Sequence, residues 1–501
     1  MSDVVLRPYQ ERLVNDIRTA MRSHRRIAVR LQQGGGKSYL IAAMALRSME
    51  NGHRVLILSH RKQITKQNHN LFTELGVDTQ IITSATKVID TTAKCNIAMS
   101  QTLMSRAGKM ESVREMIRQC YVVLIDEGHL QWNDWVFDFI DERAYVIGFS
   151  GTWSRSGKQT QLGLLYDIIV PGTPASELID MGFIVPAQCY GFDAPDLSDV
   201  DWDYSSGDWN QRQLAMKFRN RTRYGGIVKE WSRLAYNTKT LVYTTSSEHC
   251  VELCKEFVDN GIDAAYVLSK PMPETDSAMS GVRGEVLKRF EKGSLTVLLN
   301  VDILGVGYNN PNIQTVILDI ATESYPNYSQ KAARGGRPSS NKEYYTLLDF
   351  GENVQKFGSP EFDRTQVLWH NELKGGGIAS TKECPGCKRL IHLSYRVCPF
   401  CGHRFLTEKE IYEVELVRIA DQVTQPGADK NILQAYVAKC ILEGRSTNWT
   451  LMNVCIKNSQ NPKKAFIEAI EIMRTKHGKS ISPQYWYFFK KNILKNKLVR
   501  K

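Results

Sequence analysis

Short continuous runs of apolar and β-branched residues recur along the first third of the chain, at 27–29, 55–58, 96–99, 121–125 and 145–149. Helix-patterned stretches alternate with them. Leu13, Ile17 and Met21 share one face of an amphipathic helix, and further helices are expected over 39–46 and about 61–75. Unbroken apolar strands separated by helices predict a parallel sheet covered on both faces. Ligands of such sheets sit beyond the carboxyl ends of the strands. The alternation resumes at 240–243, 264–267, 296–300, 315–318 and 344–348, which predicts a second sheet of the same α/β kind. Past residue 406 the pattern is helical.

Composition narrows the picture. A chain of 501 residues has room for about three domains, each with its own core. No stretch approaches the roughly 18 apolar residues of a membrane span, and 42% hydrophobic with 24% charged residues is ordinary for a soluble protein. The first residues lack the basic and apolar regions of a signal peptide. Eleven cysteines, an odd number, argue against full pairing and for a reducing, cytoplasmic setting. The formal charge of +12 suggests a polyanionic partner.

The first candidate chemistry follows the first strand. Leu31-Gln32-Gln33-Gly34-Gly35-Gly36-Lys37-Ser38 has the glycines, lysine and hydroxyl of a phosphate loop leading into a helix. Glycine backbone approaches phosphate oxygens and the helix N-terminus adds positive potential. Lys37 is placed for the terminal phosphates and Ser38 for Mg²⁺. Leu31 stands where the strict pattern has a further glycine. Upstream, Gln10 after Pro8 fits either a helix start or a reader of an adenine edge.

The ends of the later strands are polar. Residues 121–125 run into Asp126-Glu127-Gly128-His129, where one carboxylate suits a metal shell and the next suits a water to be activated. Residue 149 runs into Ser150-Gly151-Thr152, and residue 99 into Ser100-Gln101-Thr102; these hydroxyls fit phosphate contacts or plain turns. The second half has no phosphate loop. Its contribution is Gln330-Lys331-Ala332-Ala333-Arg334-Gly335-Gly336-Arg337, with two arginines three apart on one side of a helical turn. Such a pair can clamp phosphate oxygens and stabilise the charge of phosphoryl transfer. Between the halves, residues 192–210 hold six aspartates with several aromatics, the composition of an exposed acidic linker.

Near the end of the patterned region, Cys384-Pro385-Gly386-Cys387 and Cys398-Pro399-Phe400-Cys401 are two Cys-x-x-Cys knuckles ten residues apart. Four thiolates at this spacing predict a closed, structural Zn²⁺ site. The tail, 407–501, ends with Tyr485-Trp486-Tyr487-Phe488-Phe489-Lys490-Lys491, which suits base stacking or a small helical core.

Taken in order, Gln10, Gly36-Lys37-Ser38, Ser59-His60-Arg61, Gln101-Thr102, Asp126-Glu127-Gly128-His129 and Ser150-Gly151-Thr152 resemble the first motor domain of a superfamily 2 helicase of the DExH type. Gly151 replaces the usual alanine, and Trp153 stands where relatives often have proline. Residues 302–311 resemble motif V, with Asn309 for its aspartate, and 330–337 resemble motif VI, with Ala333 for a glycine. Residues 348–354 with Gly358, followed by the four cysteines, resemble RadD-like bacterial helicases; the whole is similar to the RadD-like and UvsW-like branch, bacterial or bacteriophage. The resemblance implies two tandem RecA-like motor domains, a zinc ribbon and a helical C-terminal domain. The boundaries expected are 1–175, a linker over 176–225, then 226–365, 380–406 and 407–501.

It further implies ATP held by Gln10, Gly34, Gly35, Gly36, Lys37, Ser38 and Gln330, and Mg²⁺ held by Ser38 and Asp126. Lys37, Asp126, Glu127, Arg334 and Arg337 would be catalytic, while His129, Ser150 and Thr152 would couple hydrolysis to movement on nucleic acid. DNA is the preferred partner, in replication, recombination or repair, with no membrane; partner proteins are not identified. The alternatives are an RNA-dependent motor, a zinc-bearing binding factor that uses ATP only as a switch, and the motor subunit of a restriction system, for which the tail shows no nuclease constellation.

Overall fold

The computed structural model describes residues 4–405, apart from 156–160, 220, 270–282, 305–307, 309, 341, 365 and 370–380, together with 437, 440, 450, 451 and 468–473. The first sheet has seven strands: β1 (Arg26–Arg30), β2 (Val55–Ser59), β3 (Gln80–Ile82), β4 (Cys95–Met99), β5 (Val122–Asp126), β6 (Tyr145–Ser150) and β7 (Ile168–Pro171). They run parallel in the order β3-β4-β2-β5-β6-β1-β7. The unbroken apolar runs have a direct cause. Val29, Ile57 and Leu124 enter one core with Leu13 and Ile41, while Ala28, Leu56, Leu58, Val123 and Ile125 enter another with Trp153 and Tyr166. Both faces of the sheet are covered by helices, as the pattern predicts.

The second sheet begins earlier than expected. β8 (Ala187–Gly191) lies inside the span assigned to the linker, yet it pairs in parallel with the last strand of the second sheet. After it come a two-stranded hairpin, β9 (Trp202–Asp203) and β10 (Asp208–Trp209), and then β11 (Thr240–Thr244), β12 (Ala264–Val267), β13 (Val297–Asn300), β14 (Thr315–Asp319) and β15 (Tyr345–Asp349). The order is β12-β13-β11-β14-β15-β8. The helix Arg221–Ala235 buries Tyr224, Ile227 and Trp231 against this sheet.

Asp208 is the exception in the acidic stretch 192–210, where Asp193, Asp196, Asp199 and Asp201 are exposed. It is buried, accepts from the Glu323 N–H at 2.8 Å and takes the Thr322 hydroxyl as well. A buried carboxylate with two donors is an anchor rather than a solvated charge. Asp208 thereby ties the stretch to the loop after β14.

The four-cysteine module is a small antiparallel ribbon of β16 (Thr381–Glu383) and β17 (Leu390–His392). It packs beside β8, where Arg389 donates from Nε to the Tyr190 hydroxyl at 2.9 Å. Residues 404–501 form a separate unit. Its described positions from 437 on are helical, with Val437, Cys440, Thr450, Leu451, Ala469, Ile472 and Met473 buried. Tyr485 to Lys491 lie outside the described residues. No helix among the described residues is long and apolar enough to cross a membrane.

Candidate nucleotide site and zinc ribbon

The phosphate loop joins β1 to the helix Lys37–Glu50. Gly34 and Gly36 have φ of 86° and 80°, a left-handed backbone that glycine adopts at low cost. A Cβ on Gly36 would lie 2.5 Å from Gln10 Nε2. Gln10 itself is 3% exposed and fully engaged: Nε2 donates to the Gly35 and Gly36 carbonyls at 3.1 and 3.3 Å, and Oε1 accepts from the Arg7 N–H at 3.0 Å. The Tyr9 hydroxyl also donates to the Gly35 carbonyl, at 2.9 Å. Gln10 thus latches the loop in this structure. Its reading of an adenine edge stays an expectation.

β5 delivers Asp126 and Glu127 at its carboxyl end, both buried. Glu127 has a φ of 51°, uncommon for a side chain of its size, and this turn directs it back to the phosphate loop. There its Oε1 pairs with Lys37 Nζ. Its Oε2 accepts from Ser150 Oγ at 3.3 Å, and Ser150 Oγ meets His129 Nδ1 at 2.7 Å. Burial alone would push the Glu127 carboxyl up, but Lys37, and His129 after it, hold it well below the usual range. Asp126 shifts the other way, pushed up by burial against the pull of Lys37. Burial brings the His129 imidazole down to about 4 in spite of Glu127. Two adjacent carboxylates thus have opposite electrostatics, one bound to a cation and one open to it.

The sequence did not mark Arg155 or Asp134, and it gave Trp153 and Gly128 no packing role. Arg155, with a side chain 1% exposed, donates from Nε to the His129 carbonyl at 2.6 Å and forks onto Asp134 at 2.6 and 2.9 Å. Trp153 lies under the acidic turn, where a Cβ on Gly128 or Gly148 would come within 2.9 or 2.7 Å of its ring. Gly128 is therefore a packing requirement. The nearest signal in the sequence was an arginine just after the Ser-Gly-Thr turn, which spacing alone does not pair with residue 134.

In the second domain, Arg334 and Arg337 converge: each donates from Nη1 to the Tyr308 carbonyl at 2.8 Å. They sit at the end of the helix Tyr325–Ala332, in a tight turn over Ala333–Gly336. Gly335 makes that turn possible, because a Cβ there would lie 2.1 Å from the Tyr345 ring. Burial and the neighbouring Arg334 lower Arg337 to about 10, still protonated at neutral pH. Gln330 is half-buried on the same helix, and Lys331 beside it pairs with Asp302 at 2.5 Å. Asn309 lies outside the described residues.

The two domains meet across a basic cleft of about 680 Å³ lined by Arg61, Lys62, Lys66, Arg283, Asp302 and Ile303. Arg61 spans it, with Nη1 3.4 Å from the carbonyls of Asp302 and Ile303. Cations on both walls suit a phosphate backbone.

Two tests of fit bear on the bound groups. Gln33 Nε2, Thr152 Oγ1 and His60 Nδ1 are buried without a partner around the phosphate loop and the strand ends beside it, as polar atoms awaiting a ligand would be. In the ribbon, the four sulfurs of Cys384, Cys387, Cys398 and Cys401 all lie within 4.8 Å of one another, with Cys384–Cys401 at 3.6 Å and Cys387–Cys398 at 3.8 Å. Four sulfurs about 2.3 Å from a tetrahedral centre would be about 3.8 Å apart. The donor set fits Zn²⁺.

Comparisons with known proteins cover both halves. Residues 3–155 match the family described as type III restriction enzyme, res subunit, and 226–339 match the helicase conserved C-terminal domain. The 51.5 kDa protein of Lactococcus phage (isolate 7-9) is 26% identical over 445 residues, 86% of this chain and 89% of its own length. A Saccharomyces cerevisiae protein described as a candidate ATP-dependent helicase, IRC3, is 26% identical over 370 residues, 69% of this chain and 51% of that one. A fragment of a candidate HsdR subunit of a type I restriction enzyme from Vibrio vulnificus YJ016 shares the fold, with a TM-score of 0.53 at 18% identity over 72% of this chain and 66% of its own. A phosphate loop and paired carboxylates on one RecA-like sheet, arginines on the next, and helicase family matches to each in the same order make this chain an ATPase of helicase superfamily 2.

Proposed function

We propose that the protein is a DNA-dependent motor of the RadD-like and UvsW-like kind, using ATP·Mg²⁺ between its two RecA-like domains to move on or remodel DNA. The observation that carries this reading is the buried set Lys37, Glu127, Ser150 and His129 on one sheet, with Arg334 and Arg337 on the other. Mg²⁺ bound by Ser38 and Asp126 would offset phosphate charge. A triphosphate draws Lys37 away from Glu127, and the freed carboxylate accepts the proton of the attacking water. Arg334 and Arg337 leave the Tyr308 carbonyl for the transferred phosphoryl oxygens. Ser150 and His129, bonded to Glu127 on one side, relay its state toward the domain interface. Zn²⁺ on the four cysteines holds the ribbon folded, and DNA lies in the cleft of Arg61, Lys62, Lys66 and Arg283.

DNA is preferred because of the resemblance to RadD-like proteins and the restriction-enzyme description of the family matched by the first half. The same reading places the work in a bacterial cytoplasm, in keeping with a phage relative of matching length. The deciding experiment compares ATP hydrolysis with single-stranded DNA, duplex, forked DNA and RNA, in wild type and Glu127→Gln. Stimulation by DNA over RNA supports the proposal, and a salt series counts the phosphates contacted. RNA stimulation alone would convert it to an RNA motor. Tight ATP binding with negligible turnover in wild type would make ATP a switch.

A further inference from the structure

The chain does not leave the second domain where β15 and the short helix after it end. From residue 359 it returns to the first domain and touches both strands that flank the nucleotide. The Pro360 carbonyl accepts from Gln32 Nε2 at 3.3 Å, inside the phosphate loop. Asp363 pairs with Arg30 at the end of β1 at 2.8 Å, and its second oxygen accepts from the Ala175 N–H at 3.1 Å. Gln366 grips the Ser150-Gly151-Thr152 turn from both sides: its Oε1 accepts from the Trp153 N–H and its Nε2 donates to the Gly151 carbonyl at 3.3 Å. Beyond it the Leu368 carbonyl accepts from the Gly163 N–H at 3.0 Å.

The other end of this strap is rooted under the arginine helix. The Gly358 carbonyl accepts from the Tyr328 hydroxyl at 2.6 Å. The Arg364 guanidinium lies 4.4 Å over the Tyr325 ring. Tyr325 and Tyr328 belong to the helix Tyr325–Ala332, which leads directly into the turn carrying Arg334. One short segment therefore connects the element bearing the arginines with the turn whose serine bonds Glu127.

The geometry points to Gln366 as a positioning residue for ATP hydrolysis, reporting the place of the arginine-bearing domain to Ser150 and through it to Glu127. The carboxamide does both parts of the grip from its two terminal atoms, donating to one carbonyl and accepting from the next free N–H. Residue 153 must also supply that N–H, which Trp153 does and a proline could not. Gly151, whose Cβ would lie 2.8 Å from Gln33 Nε2, packs between the phosphate loop and the strap.

The inference rests on the reading of Lys37, Glu127 and Ser150 as hydrolytic groups, so Lys37→Ala accompanies the test. Turnover, KM for ATP and the thermal midpoint are measured on the full chain, with and without single-stranded DNA, for Gln366→Glu and Gln366→Ala. A misplaced Glu127 lowers kcat roughly ten- to a hundredfold while KM and the midpoint stay at wild-type values. Gln366→Glu, which keeps the acceptor and loses the donor, falls with Gln366→Ala. The proposal is overturned if both variants turn over like wild type while Lys37→Ala is inactive, or if lost turnover tracks the midpoint and returns on cooling. Activity surviving in Lys37→Ala would instead overturn the reading of the site itself.

Discussion

The two walls of the proposed nucleotide site are built on different principles. On the first domain four groups hold one another within the same wall: Lys37 with Glu127, Glu127 with Ser150, and His129 with Ser150. On the second, two guanidinium groups share one backbone carbonyl, that of Tyr308, on a loop between β13 and β14. The first wall joins a cation, a carboxylate, a hydroxyl and an imidazole into one connected set. The second brings two cations together on one carbonyl, a contact that a phosphate can replace with a charge-assisted one. A motor that must bind nucleotide on one domain and sense it from the other needs this asymmetry.

The sharpest way to break the comparison is to remove the arginines of the second wall. Arg334→Ala and Arg337→Ala are expected to lower turnover by on the order of 10³-fold, with ATP binding and the melting of the first domain unchanged. Single-turnover hydrolysis and nucleotide titration distinguish the two effects. A large loss of binding in either variant would show that the arginines hold the ground state and are not reserved for the reaction.

Removing a charge from the first wall should behave differently. Lys37→Ala is expected to lower turnover roughly 10²- to 10³-fold and also to destabilise the first domain, by about 3–5 kcal/mol, because Glu127 is left buried without its cation. The pair Lys37→Met and Glu127→Gln together should recover most of that stability and none of the turnover. Chemical denaturation of the three proteins checks this. If the single and double variants are equally stable, the pair is not a compensating one.

The acid limb of stability sharpens the same point. His129 is neutral in the fold, with its proton affinity brought down from the ordinary 6.5 to about 4 by burial, against Glu127. The unfolded chain takes up the proton first as pH falls. Stability is therefore full above 6.5, declines below it, and has lost about 3 kcal/mol by pH 4. His60, at about 4 through burial and Arg61, adds a loss of the same sign. Asp126, pushed up by burial, protonates earlier in the fold than in the unfolded chain and opposes both as pH falls. His129→Asn, which keeps an atom near Nδ1 for Ser150, is expected to flatten the slope between pH 6.5 and 4. An unchanged slope would mean that His129 is not buried as described.

How much of this could be read in advance follows the same division. The strands that are continuous apolar runs were legible, and so were the Gly-Lys-Ser, Asp-Glu-Gly-His and arginine motifs, because each is a local pattern at a strand or helix end. β3 is three residues long, and β8, Ala-Gln-Cys-Tyr-Gly, has small and polar residues in place of a β-branched run. Its assignment to the second sheet is made only by pairing with β15, more than a hundred residues later. The same is true of Arg155 with Asp134 and of Gln366 with Gly151, whose partners are brought together by folding and by no spacing. Gln10 shows the opposite case: the residue was marked, but its hydrogen bonds in the fold go to the phosphate loop.

The mildest test of the second wall changes no charge at all. Gly335 lies against Tyr345, and a methyl group there would have to displace the ring or lift the turn carrying Arg334 and Arg337. The ring is fully buried in the second core, so the turn is the softer side. Gly335→Ala should therefore cost about 1–3 kcal/mol of stability and lower turnover about tenfold, while the charged pairs of the first wall keep their pH dependence. Denaturation and steady-state rates on one preparation test both parts. Full activity at reduced stability would mean that the arginines reach the phosphates from more than one backbone position. The order of the second wall would then come from the nucleotide, as its shared carbonyl contact already suggests.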